Sequence, residues 1–386
     1  MKIGIITLWQ SNDNYGQQLQ VWALQQYLRK EGHKPFLIRY DFEGNRSKSS
    51  WKKKLAKVLL IYPIINRLLS FSCRRRERQL IERLAAKNQT RQFSAFRENR
   101  LQMSSVLYHT LAELQANPPE ADCYITGSDQ VWAQLLNRTD NRAFFLDFGD
   151  KSIRRISYAP SFFMQSYPES LLPQLQKQLM HFDYVSVRED AGIAICKAVG
   201  RDAVKVVDPT LLLDKETYAV LMESPKQIPP YIYIYSINIS SAEDLYWEDL
   251  KQYAKENHRK VVVTPASGYI AGRELFEEVT YDYATIAQWL TDIDNADLVV
   301  TTSFHGIVFS IIMETPFVYV PLAGKNAQGN NRISGLLQDL NLGSRILRKG
   351  ISYKEIASRP IDWLEAKKRL ETIRMKSKEY LNQALS

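Results

Sequence analysis

Short apolar runs alternate with amphipathic, helix-periodic stretches through both halves of the chain, and this alternation narrows the possible folds more than any other feature. Lys2 to Leu8 is a strand-forming run. Tyr15 to Glu31 follows, with Val21, Leu24 and Leu28 on one stripe at helical spacing; Gly32 ends it and Pro35 to Tyr40 is the next apolar run. Further strands are expected at Ala121 to Thr126, Ile153 to Ala159, Tyr184 to Val187 and Val204 to Val207, with helices at Glu169 to His181 and Asp190 to Val199. The pattern restarts after Pro225 to Pro230, the expected linker. Strands then fall at Tyr231 to Ile237, Lys260 to Thr264, Asp297 to Thr301 and Pro316 to Pro321. Helices fall at Ala242 to Asn257, Tyr283 to Ile293, Phe304 to Glu314 and Asn331 to Leu340.

Alternating β and α elements joined by short loops predict parallel sheets covered by helices. With 386 residues the chain exceeds one ordinary core. The fold class expected is therefore α/β, with two Rossmann-like parallel-sheet domains facing a cleft. Residues 1–224 would form the first domain and 231–360 the second, and a helix over 361–386 is expected to pack back on the first. Ligands of such sheets bind outside the carboxyl ends of the strands, so the loops that follow strands carry the functional information.

The formal charge of +9 is concentrated in one place. Residues 46–100 hold 16 Lys/Arg against 3 Glu, a net +13, which leaves −4 on the rest of the chain. This basic, helix-forming segment interrupts the first domain. Lys52, Lys53, Lys54, Lys57, Arg67, Arg74, Arg75 and Arg76 surround an apolar stripe of Leu55, Leu59, Tyr62 and Leu69. That arrangement suits contact with an anionic membrane surface, and equally a solvated face. No nucleic-acid recognition motif accompanies it. The opening run is too short for a signal peptide, and no stretch of about 18 apolar residues is present, so a cytoplasmic protein is expected, at the inner face of the plasma membrane if the basic segment binds there. Cys73, Cys123 and Cys196 are scattered and odd in number, which indicates neither a disulfide framework nor a metal site.

Three strand-to-loop junctions are rich in polar groups. They are Gln10 to Gln18, Thr126 to Trp132, and Thr301 to Gly306. Asn12, Asp13, Asn14, Ser128 and Asp129 suit turns and helix caps as well as a site, and a lone His305 suits a satisfied core. The segments NDNYG, GSDQVW, ISYAPSF, VSVRED, VVDPTLLL and TTSFHGIVFSI occur in this order between residues 12 and 311. Together they resemble the polysaccharide pyruvyl transferase family.

The resemblance implies an architecture similar to the GT-B glycosyltransferases and a pyruvyl transfer from phosphoenolpyruvate to a sugar hydroxyl pair of a cell-surface glycan precursor. The product would be a pyruvate ketal, formed with neither metal nor cofactor. The acceptor would be an oligosaccharide or a lipid-linked sugar. The resemblance implies a histidine acid at His305 and donor contacts from Arg188 and Lys325. Arg332 and Asn331, opening a helix, resemble a pattern of the same branch, and Ser303 and Phe304 flank the acid. Well-described members carry Arg two residues before the histidine, where this chain has Ser303; Arg332 is the expected replacement. Asn14, Tyr15, Gln17, Gly127, Ser128, Asp129 and Gln130 would meet the acceptor or line the cleft, with Asp129 as base or cap. The Asp208-Pro209-Thr210 segment reads as an inter-domain turn. The donor would lie on the second domain and the acceptor on the first. A sugar-nucleotide-dependent glycosyltransferase and a non-catalytic glycan-binding protein fit the same scaffold.

The residues agree with this chemistry. A small trianion needs several cations, and the planar fork of arginine meets carboxylate and phosphate oxygens in pairs. Helix N-termini add free N–H groups. Protonating the donor's methylene carbon needs an acid that exchanges protons near neutral pH, which suits histidine.

Overall fold

The computed structural model describes residues 1–10, 14–41, 89–227, 229–266 and 274–386, with the side chains of residues 325 and 326 left aside. Two five-stranded parallel sheets form its frame. The first contains β1 (Lys2–Ile6), β2 (Lys34–Tyr40), β3 (Met103–Tyr108), β4 (Cys123–Thr126) and β5 (Arg154–Ser157), in the order β3-β2-β1-β4-β5. A two-stranded parallel ladder of β6 (Ser186–Val187) and β7 (Val204–Lys205) continues from its β5 edge through an Ile156–Tyr184 bridge. The second sheet contains β8 (Tyr231–Ser236), β9 (Lys260–Pro265), β10 (Thr280–Tyr281), β11 (Leu298–Thr301) and β12 (Phe317–Tyr319), in the order β10-β9-β8-β11-β12. Both are Rossmann-like, and each reverses its winding at one place, between β1 and β4 and between β8 and β11. A crevice opens at the carboxyl ends of the strands at such a switch point.

The helices that shape the site are α1 (Tyr15–Lys30), α2 (Asp190–Ala198), α3 (Ile286–Asn295), α4 (Phe304–Met313), α5 (Asn330–Asp339) and α6 (Trp363–Leu385). Every residue of α4 is buried, as its continuous apolar sequence requires. Most of α1 is buried too, because it is packed between its own sheet and the second half. Aromatic side chains join the halves: Tyr15 stacks on Trp289 at 5.1 Å, and Tyr218 meets Phe309 edge-on at 4.9 Å. After the second half, α6 returns to the first. There the Ser377 hydroxyl accepts from the Val207 N–H at 2.9 Å, and the Tyr380 hydroxyl donates to the Ser157 carbonyl at 2.8 Å.

Most expected elements are present within a few residues of their sequence bounds. Strand β3 is an addition: it lies at a sheet edge with three of its six residues exposed, so its sequence carries no apolar alternation. The greater part of the basic segment, residues 46–88, lies outside the described residues, and with it the membrane-surface expectation; its end forms a short helix at Phe93–Arg100. Among the described residues, no helix is long and apolar enough to cross a membrane.

Candidate functional site

The three polar junctions follow β1, β4 and β11, so both switch points deliver their loops to one place. The third junction carries the histidine. The Ser303 hydroxyl accepts from the Gly306 N–H at 3.3 Å and caps α4, the ordinary use of serine at this position. The cap uses the hydroxyl as acceptor and leaves its O–H free to donate; neither Ser303 nor His305 lines the cavity described below. His305, in the first turn of α4, is 5% exposed. Its Nε2 lies 3.6 Å from Asp208 Oδ2 and has no hydrogen-bond partner among the described residues. The other edge of the ring presses on α1 so closely that a Cβ on Gly16 would lie 2.0 Å from Nδ1.

Asp208 is the centre of the arrangement. Its Oδ1 accepts from the Thr210 N–H at 3.0 Å and the Thr210 hydroxyl at 2.6 Å. Its Oδ2 accepts from the Ser128 hydroxyl at 2.8 Å and from Arg188 Nη1 at 2.9 Å. Burial alone would push this carboxyl up; the neighbouring His305 and Arg188 and the Thr210 hydroxyl outweigh it and hold it well below the carboxylate range. The inter-domain-turn reading of Asp208 therefore describes only half of what the residue does.

Arg188 leaves the end of β6 just before α2 and is almost fully buried. Burial works against its charge, but Asp208, Glu189 and Asp129 outweigh it and raise its pKa. The contacts to Asp129 and Glu189 are 3.9 Å, too long for hydrogen bonds. Its Nε and Nη2 consequently have no hydrogen-bond partner among the described residues. The guanidinium lies over the Phe304 ring, 4.7 Å from its centroid.

Arg332, in the first turn of α5, approaches the same ring at 5.6 Å and the Phe163 ring at 5.1 Å. Gln130, with its amide oxygen turned inward, accepts from Nη1 and Nη2 at 3.1 and 3.2 Å. Burial, and then Arg188, pull the Arg332 guanidinium down to about 10. Phe163 takes its place with a backbone φ of 56°, an unusual conformation for so bulky a residue, and its N–H donates to the Ser161 hydroxyl at 3.1 Å.

The remaining candidates stand farther back. Asn14 caps α1 by accepting from the Gln17 N–H at 3.2 Å, and the Gln17 amide donates to Asp129 Oδ2 at 2.6 Å. Asp129 itself has a φ of 73°. Gly127 and Ser128 are buried against β1, where the Thr7 hydroxyl donates to the Ser128 carbonyl. Tyr15 requires a correction: it is fully buried in the joint between the halves and donates to the Ala284 carbonyl at 2.7 Å. An aromatic ring at this position serves packing and cannot meet an acceptor. The Lys325 side chain lies outside the described residues, and Asn331 is exposed on the cavity wall.

A cavity of about 510 Å³ opens in front of these groups, within the range of ligand pockets. Its walls come from both halves: Arg188 to Ala191, Lys205 to Asp208, the loop at Phe163 to Gln165, one face of α5, and Ile373, Lys376 and Ser377 of α6. Among the described residues, none of the seven expected to meet the acceptor or line the cleft lines this cavity. Gln130 instead holds Arg332, and Asp129 lies 3.9 Å from Arg188. No group of side chains suited to a metal ion occurs among the described residues.

The family model described as polysaccharide pyruvyl transferase matches residues 14–322. The chain belongs to the polysaccharide pyruvyl transferase family. As a member it is a transferase. No curated protein matches the chain. Among solved structures, it is similar to the UDP-GlcNAc 2-epimerase of Neisseria meningitidis bound to UDP-GlcNAc, at 9% identity and a TM-score of 0.49 over 100% of both chains. It is similar also to the trehalose-6-phosphate phosphatase N-terminal domain of Candida albicans, at 12% identity and a TM-score of 0.48, covering 100% of this chain and 98% of the other.

Three residues joined to the site carried no functional role in the sequence reading: Asp208, Gly16 and Phe163. All three stand inside the family-like segments VVDPTLLL and NDNYG or directly after ISYAPSF. Their membership in those segments was the available signal.

Proposed function

We propose that this chain transfers the enolpyruvyl group of phosphoenolpyruvate to two hydroxyls of a sugar in a cell-surface polysaccharide precursor, forming a pyruvate ketal and releasing phosphate. The observation that carries the reading is the grouping of His305 and Arg188 around one buried carboxylate, with Arg332 across the Phe304 ring; Arg188, Asp208, Phe304 and Arg332 line the inter-domain cavity, and His305 lies 3.6 Å from Asp208 without itself lining it. Among the described residues Arg188 Nε and Nη2 and Arg332 Nε have no acceptor, and they are the donors we assign to the phosphate and carboxylate oxygens of the donor substrate. Arg332 thereby does the work that other members assign to an arginine at the position of Ser303.

His305 gives its proton to the methylene carbon, and the double-bond electron pair forms the new C–H bond. The C2 centre becomes oxocarbenium-like. One sugar hydroxyl oxygen bonds to C2, the C2–O bond to phosphate breaks, and the second hydroxyl oxygen closes the ring. One hydroxyl proton restores His305 and the other leaves with phosphate. Asp208 lies beside the imidazole, and the unused N–H groups of the neighbouring guanidiniums hydrogen-bond the oxygens of the donor. The chemistry calls on no cofactor or metal.

His305→Ala tests the reading. Ketal formation is expected to fall by at least the ~10²–10⁴-fold typical of an acid–base group, while phosphoenolpyruvate still raises the melting temperature. Turnover within tenfold of the parent removes His305 from the role of acid. Stabilisation by a nucleotide sugar and not by phosphoenolpyruvate moves the chain to the glycosyltransferase reading.

A further inference from the structure

The cavity is longer than its cationic end. Arg332 and Asp339 both line it from α5, seven residues and thus about 10 Å apart along the helix. A three-carbon phosphoester gripped by Arg188 and Arg332 covers the first turn of that wall and leaves the second uncovered. The second turn presents Gly335, Gln338 and Asp339 to the cavity. A Cβ built on Gly335 meets nothing within 4 Å, so the helix surface there faces open space. At the far end Lys205 Nζ bridges Asp190 at 2.8 Å and Asp339 at 2.9 Å, which joins the two halves across the cavity. Each of these carboxylates is partly exposed and keeps acceptor capacity beside the bridge.

We infer that this outer compartment, along Gly335, Gln338, Asp339, Lys205 and Asp190, is the acceptor-sugar subsite. The inference rests on the proposed transfer from phosphoenolpyruvate and assigns the second substrate to a place that the sequence did not suggest. The chemistry of the wall fits a sugar. Carboxylate and amide groups spaced along one helix face match the donor and acceptor pairs of neighbouring hydroxyls, and the glycine leaves room for a ring to lie against the backbone. The position fits as well, because a hydroxyl held here approaches a donor at Arg332 from one helical turn away.

Gly335→Trp fills the compartment from a position one turn along the helix from Arg332, so donor binding is read beside it as the control. Gly335→Ala reports on the helix and is expected to melt at or above the parent temperature, since alanine favours a helix over glycine. Saturation-transfer NMR with methyl β-glucoside, methyl β-galactoside and methyl N-acetyl-β-mannosaminide, each with and without phosphoenolpyruvate, reads acceptor binding. Thermal shift reads donor binding. At least one glycoside signal is expected with the parent protein and at least a tenfold loss with Gly335→Trp, while stabilisation by phosphoenolpyruvate stays within twofold. Gly335→Leu, read in the same way, serves where tryptophan prevents folding. The inference is overturned by signals unchanged in the filled variant, by a joint loss of donor and glycoside binding, or by a parent protein that binds no glycoside of the three. A parent protein that binds a glycoside in this compartment but ignores phosphoenolpyruvate sinks the proposed donor and leaves the subsite standing.

Discussion

Replacing Gly16 by alanine should disable the site while barely touching its chemical groups. A Cβ at this position would lie 2.0 Å from His305 Nδ1, 2.1 Å from Cγ and 2.6 Å from Cβ. Ordinary contact begins near 3.4 Å, so the ring must withdraw by about 1.4 Å. Rotating the ring does not suffice, because the His305 Cβ is fixed by α4 and is itself too close. Helices α1 and α4 must separate, or the imidazole must leave Asp208. A displacement of about 1 Å at a reacting group costs on the order of 10²-fold in rate, and that is the expected loss of turnover. Stability is set by two opposing terms. Alanine gains up to ~1 kcal/mol over glycine in a helix, and overpacking costs ~1–3 kcal/mol, so a net loss of about 1 kcal/mol is expected. The assay is a double-mutant cycle with His305→Ala, read by phosphate release and thermal melting. With the ring removed the nearest contact opens from 2.0 to 2.6 Å, at the retained Cβ of residue 305, so Gly16→Ala should then lower turnover no further and stability by clearly less than in the parent. Full turnover in Gly16→Ala, or an equal stability loss in both backgrounds, refutes the steric argument.

Arg332→Lys keeps a charge but loses the planar fork that Gln130 and the two phenyl rings hold. Donor affinity, read by calorimetry with phosphoenolpyruvate, is expected to fall about tenfold or more, or ~1.4 kcal/mol, and lysine should rescue little relative to alanine. Asp292, fully buried in α3 with the Gln288 amide on Oδ1 at 2.6 Å, is pushed by burial up to about 7. A carboxyl that binds its proton more tightly in the folded state contributes full stability below about pH 4 and loses it as the pH rises to about 7, a cost on the order of 4 kcal/mol at most. Asp292→Asn should therefore raise the melting temperature near pH 8 and change it little near pH 4; equal shifts at both pH values contradict the assignment.

The two-sheet frame was legible because its parallel strands are buried on both faces and read as uninterrupted apolar runs, as in Tyr231–Ser236 and Leu298–Thr301. His305 and Arg188 were named through the family resemblance, and the structure places them after the Leu298–Thr301 and Ser186–Val187 strands. Asp208 was hidden by a local explanation that is correct as far as it goes. One carboxylate oxygen does cap the turn at Thr210; the other is bound by Arg188, 20 residues away, and by Ser128, 80 residues away. Local pattern accounts for the first oxygen and is silent on the second. Tyr15 failed for the same reason in reverse. Its motif places it in a polar loop-to-helix segment, but the ring is claimed by Trp289 and Tyr235 from the other half of the chain. Gly16 reads as a poor helix residue until α4 is seen against it.

Net charge does not select an anion at this site. Arg188 and Arg332 face Asp129, Glu189 and Asp208, so carboxylates outnumber guanidiniums. Hydrogen-bonding capacity decides instead. Asp129 Oδ2 is taken by Gln17, and Glu189 Oε1 by the Ser161 hydroxyl and the Phe162 N–H. Those carboxylates lower the field without closing on the guanidiniums, and among the described residues Arg188 Nε and Nη2 and Arg332 Nε remain unused as donors. A buried donor left without an acceptor costs about 1–3 kcal/mol, which an incoming oxyanion can recover in addition to its own attraction. The Phe304 ring completes the arrangement. It accepts one guanidinium at 4.7 Å and the other at 5.6 Å, so that two like charges share a neutral, polarisable wall and keep their donors available to a third party.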